Sequence, residues 1–143
     1  MPPMIRSALV LLGGVVAAVL VVTVMDRVVA SIYPFPPGTD LRNPESFRQA
    51  VAGLPGAAFL LLVAGWSLAA GVGSYLAARL ATHARVIHGL IVALFVLVAT
   101  IANLAKIPHP TWMWPAAVVL IPLAGLAAAR LTARPVAVPR SVG

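Results

Sequence analysis

Four stretches of this chain carry no Asp, Glu, Lys or Arg, and each is about as long as a bilayer is thick: Ser7 to Met25, Val51 to Ala78, Val86 to Ala105, which holds His88 near its start, and Thr111 to Ala129. A spanning helix needs roughly 20 mostly apolar residues. Hydrophobic residues make up 62% of the chain and charged ones 9%. Soluble domains are typically about 45–50% apolar and about 25% charged. The surroundings of this chain must therefore be lipid. The expected fold is an all-α membrane protein, a single transmembrane domain over residues 1–143. Helices are expected at about 7–32, 54–80, 85–105 and 111–131, forming an up-down-up-down bundle.

The first apolar run follows Arg6 and resembles a signal peptide, but it outruns the usual apolar core of about 7–15 residues. Asp26-Arg27 follows it, with no clean small-x-small cleavage site, so a retained helix is expected. The loop YPFPPGTDLRNPESFRQA comes next. Tyr33-Pro34 ends the first helix, because proline disfavours a helical residue before it. Pro36-Pro37-Gly38 signals a turn. In Asn43-Pro44-Glu45, Asn caps, Pro takes the first helical position and Glu meets the positive end of the dipole. With Phe47, Val51 and Leu54 at helical spacing, residues 33–53 should be a loop holding a short interfacial helix, Pro44 to Ala52.

Orientation follows from the basic residues near helix ends. Arg6, Arg79, Arg85, Arg130, Arg134 and Arg140 lie on one side; Arg27, Arg42, Arg48 and Lys106 lie on the other. Six against four places both termini in the cytoplasm. A formal net charge of +7 does not imply nucleic acid, because the charges are scattered between apolar runs rather than gathered in a stripe. Arginine over lysine, with abundant Ala, Val and Gly, suggests a GC-rich bacterial genome and hence the inner membrane. The basic, proline-spaced tail at 132–143 should lie disordered on the anionic inner leaflet.

Gly65, Ala69, Gly73 and Ala77 recur every four residues on one face of the second span. Small residues at this spacing let helices approach closely in lipid, within one bundle or between two copies.

The stretch KIPHPTWMWP, Lys106 to Pro115, reverses the chain between the last two spans. Pro108 and Pro110 stop one helix, Thr111 is placed to cap the next, and Trp112 and Trp114 suit an aromatic belt. Topology puts Lys106 and His109 on the same side as Asp26, Arg27 and Tyr33. Asn103 lies one turn before Lys106. The candidate polar site on the outer side is therefore Asp26, Arg27, Tyr33, Asn103, Lys106, His109 and Trp112, with Asp26 paired to Lys106, Arg42 or Arg48. Asp26 and Arg27, adjacent on a helix, point about 100° apart. His83 and His88 belong to the opposite side, so the three histidines cannot share a metal.

There is no cysteine and no HExxH, GxSxG, Walker or Rossmann fingerprint. No cofactor is expected, and the expected partners are the bilayer and a membrane protein or a second copy. YPFPPGTD, Trp66 with its glycines, Asn103-Leu104 and IPHPTWMW together resemble a group of small four-helix bacterial membrane proteins. Those proteins carry a Tyr-Pro-x-Pro-Pro-Gly loop and an Ile-Pro-His-Pro-x-Trp turn. The resemblance covers residues 30–130 and implies architecture without an activity. Pro34-Phe35-Pro36 and Pro108-His109-Pro110 also echo each other, either as a duplication relic or by coincidence in a chain with 13 prolines. Three functional classes follow. The first expectation is a non-catalytic accessory or scaffold subunit. The second is a carrier or binder of a small or lipid-like ligand at the outer polar site. The third is a membrane-embedded enzyme on a lipophilic substrate.

Overall fold

The computed structural model of the protein describes residues 2–132. Within them the chain forms five helices: α1 Pro3–Ile32, α2 Pro44–Ala52, α3 Gly56–Leu80, α4 Arg85–Lys106 and α5 Met113–Thr132. α1, α3, α4 and α5 are long and apolar enough to cross a membrane. A helix suits that medium because it satisfies backbone donors and acceptors within its own segment. The tail expected beyond Thr132 lies outside the described residues.

Prolines set several helix boundaries. α1 starts at Pro3 rather than at the apolar Ser7, since a first-turn proline gives up a donor that would have no helical partner. Pro55, with extended backbone, precedes α3. α5 begins at Met113, later than Thr111. The Pro110 carbonyl accepts the Met113 N–H and the Thr111 carbonyl accepts the Trp114 N–H, so the backbone turns once before the helix settles. Pro122 sits inside α5, where it removes one helical hydrogen bond. α2 is capped by the Asn43 side chain, whose Oδ1 accepts from the Glu45 N–H at 2.9 Å and the Ser46 N–H at 3.3 Å. Its Ala50 and Val51 are buried, and Arg48 Nε donates to the Lys106 carbonyl at 3.2 Å.

α3 is the central helix. It packs against α1, α4 and α5, whereas α1 meets α3 and α4 but not α5. The α1–α3 crossing is built on glycine. A Cβ placed on Gly14 would lie 2.8 Å from the Gly73 carbonyl oxygen and 2.9 Å from Val92 of α4. A Cβ on Gly73 would lie 2.6 Å from the Gly14 carbonyl oxygen. Three helices thus converge at Gly14, Gly73 and Val92, with no room for a further carbon. Farther along, Gly65 makes space for Met25, whose Cβ would be 2.8 Å from an added Cβ. Gly65, Ala69, Gly73 and Ala77 are all buried inside the chain. On the other side of α3, Ser74 Oγ donates to the Gly89 carbonyl of α4 at 2.8 Å, and Gly125 of α5 faces Ala93 and Ser74.

The α3–α4 turn uses Ala84 in the left-handed region at φ 46°. Its carbonyl accepts from the His88 N–H and from His88 Nδ1. Arg85 ties the turn to both neighbours, donating to the Ala81 carbonyl at 3.2 Å and the Thr132 carbonyl at 3.1 Å. The His83 and His88 rings stack edge to face at 5.6 Å, at the end of the bundle opposite His109.

Gly13 and Gly14 are adjacent, yet an added Cβ at Gly13 meets nothing within 4 Å. Gly14→Leu should destabilise the bundle by about 1–3 kcal/mol, the usual cost of overpacking. Gly13→Leu should leave it unchanged. Reversible unfolding in mixed micelles measures both, and equal effects would contradict this crossing.

Candidate functional site

Above the convergence point α1 and α4 part. α1 stays on α3 through Met25 and Gly65, so the gap opens between α1 and α4 with α3 as its back wall. The first lobe of this gap holds about 300 Å³. Ala18, Val19 and Val22 of α1 line one side, and Phe95, Val96 and Ala99 of α4 the other. Val19, Phe95 and Ala99 are exposed, so the lobe opens sideways, toward where acyl chains would lie.

A second lobe of about 360 Å³ lies toward α2. Phe35, Phe47 and Val51 roof it, while Arg27, Tyr33, Ile107 and His109 lie around it. Asp26, Trp66 and Asn103 line both lobes, so the two chambers meet at these side chains. Each volume lies at the lower end of the range of small-molecule sites, about 300–1,000 Å³. Asp26 stands six residues before the end of α1, about 9 Å along the helix axis.

Local sequence explains each position. Trp66 follows Gly65, so the backbone contact with Met25 leaves the indole at the back of the cleft, only 5% exposed. The Pro108-His109-Pro110 turn breaks α4 and folds His109 inward. Its ring meets Phe59 edge-on at 5.8 Å and Trp66 at 6.1 Å. His109 Nδ1 lies 2.8 Å from the Ile107 carbonyl. A carbonyl can only accept, so Nδ1 carries a hydrogen and Nε2 is the nitrogen left for another partner. The Phe35 and Phe47 rings pack edge to face at 5.8 Å and hold the YPFPPG loop against α2.

Of the residues singled out from the sequence, Asp26, Arg27, Tyr33, Asn103 and His109 line one chamber. Asp26 and Arg27 diverge as helical geometry requires: the carboxylate's residue lines both lobes, the arginine only the α2 lobe. Lys106 and Trp112 do not join them. Lys106, about 60° round α4 from Asn103, lines an adjoining open depression with Glu45, Arg48 and Gln49, which shares Ile107 and His109 with the α2 lobe. The expected Asp26–Lys106 pair is thereby displaced. The Arg48 side chain is held at the Lys106 carbonyl, 3.2 Å from its Nε. Trp112 is exposed on the bundle surface. Among the described residues no three His, Cys, Asp or Glu side chains gather where they could hold a metal.

Trp66, Phe35, Phe47 and Phe59 are not among the candidate site residues, although Phe47 is on the helical stripe read for α2 and Trp66 belongs to the motif resemblance. One signal existed for Trp66. Belt tryptophans sit at span ends, whereas Trp66 lies ten residues inside α3, about 15 Å along it.

Comparison with protein-family models, with curated proteins and with solved structures found no match. The resemblance to small four-helix bacterial membrane proteins rests on the sequence motifs alone.

The chain contains no cysteine, so single thiols report without background. Asn103→Cys should react with a small methanethiosulfonate in detergent, while Leu104→Cys, at a position only 4% exposed, should stay protected. Equal labelling would contradict the cleft.

Proposed function

We propose that this protein holds a lipid-like amphiphile in the cleft between α1 and α4, with its polar end at Asp26, Asn103 and His109. Among the three functional classes open to the sequence, this is the binder or carrier. One observation carries the reading: a mostly apolar lobe open toward lipid and a second mostly apolar lobe under α2 share Asp26, Trp66 and Asn103, which puts polar groups where the two chambers meet. A single-chain amphiphile fits such a cleft, its chain along the apolar walls and its polar end at the shared Asp26 and Asn103. A soluble ligand would have no use for a sideways opening lined by Val19, Phe95 and Ala99.

The proposed setting is a bacterial inner membrane, with helices alternating up-down-up-down and both termini in the cytoplasm. The contacts Gly14–Gly73 and Met25–Gly65 run in opposite senses along α1 and α3, as do Gly89–Ala129 and Ala93–Gly125 along α4 and α5, which supports the alternation. The excess of arginines on the terminal side supports the orientation. A cysteine at His83 should then react with an impermeant thiol reagent only in opened cells, and one at Gly38 in intact cells. The reverse pattern would overturn the orientation.

Tryptophan fluorescence tests the binding reading. With Trp112→Phe and Trp114→Phe, Trp66 becomes the sole tryptophan. In nanodiscs, a brominated monoacylglycerol should quench Trp66 saturably. Ala99→Phe, which fills the apolar lobe, should weaken that binding about tenfold, equivalent to about 1.4 kcal/mol. Quenching that never saturates, or that ignores Ala99→Phe, would overturn the reading and favour the accessory-subunit class.

A further inference from the structure

We infer that the amphiphile held in this cleft has a cationic head, an amine or quaternary ammonium, and that Asp26 and the surrounding rings select it. The inference rests on the binding role proposed above and adds the chemistry of the polar end.

Charge distribution along the cleft is the first support. Two lining residues carry formal charge, Asp26 and Arg27. Arg27 lines only the α2 lobe, and it is exposed, with a long stem that can carry the guanidinium out to the headgroups. Asp26 lines both lobes, so the charge at their junction is a carboxylate. The remaining basic side chains at this end lie elsewhere. Lys106 and Arg48 line the neighbouring depression, which meets the α2 lobe at Ile107 and His109 and does not include Asp26.

Ring faces are the second support. Tyr33, Phe35, Phe47, Trp66 and His109 all line the α2 lobe beside Asp26. A cation over an aromatic face gains about 0.5–1 kcal/mol at exposed sites and about 2 or more where water is excluded, and tryptophan is the best such face. Aromatic rings grouped with a carboxylate are what recognises an ammonium. An anionic head would instead meet the carboxylate.

Desolvation is the third. Asp26 is exposed on one side, but its other side lines the two mostly apolar lobes, where a carboxylate loses water at a cost. A positive head seated at the junction offsets that cost, whereas an uncharged one leaves it in place. The apolar chain would then lie against Ala18, Val22, Val96 and Ala99.

The test uses the full chain with Trp66 as sole tryptophan, in phosphatidylglycerol nanodiscs. The probes are a brominated alkyltrimethylammonium and a brominated monoacylglycerol of equal chain length. The ammonium probe should bind at least about tenfold tighter, about 1.4 kcal/mol. Asp26→Asn should remove that preference, so that the two probes bind with equal affinity. Because Asp26→Asn keeps the side-chain shape, thermal unfolding should be unaltered, and Asp26→Glu should retain part of the preference. Attraction of the cation to the anionic bilayer is the same in both proteins, so the comparison cancels it. If both probes bind equally, or if the preference survives Asp26→Asn, this inference fails while the binding role stands. If neither probe binds saturably, the binding role itself fails.

Discussion

The fold depends on a contact between two backbones. Gly14 and Gly73 bring α1 and α3 so close that either added Cβ would strike the other helix's carbonyl oxygen. In lipid no hydrophobic effect pulls helices together, because the tails are as apolar as leucine. Close van der Waals packing must do it, and its strength falls quickly with distance. Val92 meets the same point, so α4 is drawn in as well. The cleft begins one turn above this junction, where Ala18 and Val96 replace the glycine-to-valine contact.

The second α1–α3 contact, Met25 on Gly65, decides which gap opens. It keeps α1 on α3 along its length, leaving α4 as the wall that parts. α5 packs behind α3 and α4 and takes no part in either lobe. The polar residues therefore gather on one side of α3, at the α2 end. Asp26 comes from α1, Asn103 from α4 and His109 from the turn after it, with Trp66 of α3 between them. The short helix α2 closes this end through Phe47 and Val51, and its Arg48 bond to the Lys106 carbonyl anchors it to the end of α4.

Energetically the arrangement is asymmetric. Most of the bundle satisfies its polar groups locally: Thr23 donates to the Val19 carbonyl, Ser67 to Val63, Thr132 to Ala129. Such bonds make a hydroxyl tolerable in lipid. Asp26, which cannot donate when ionised, has no such local solution. Intramembrane acids are expensive and by default mark function.

The sequence by itself determined the number of spanning helices, because uncharged runs of bilayer length admit no other use. It determined α2 as well, where Asn43-Pro44-Glu45 supplies cap, first residue and dipole partner within three positions. It also placed Asp26, Asn103 and His109 at one end of the bundle, since alternating spans bring the end of the first helix and the end of the third to the same side. Tertiary structure alone decided the rest. Gly13 and Gly14 are chemically identical, and only the partner helix makes one of them essential to packing. Asn103 and Lys106 share a helical face within about 60°, yet the placement of α2 assigns one to the cleft and the other to the surface. His109 reads as a solvated loop residue until the proline turn folds it onto Phe59 and Trp66. These outcomes depend on helix rotation and crossing, and those are set by which small residues meet across space, a relation that spacing along one chain does not contain.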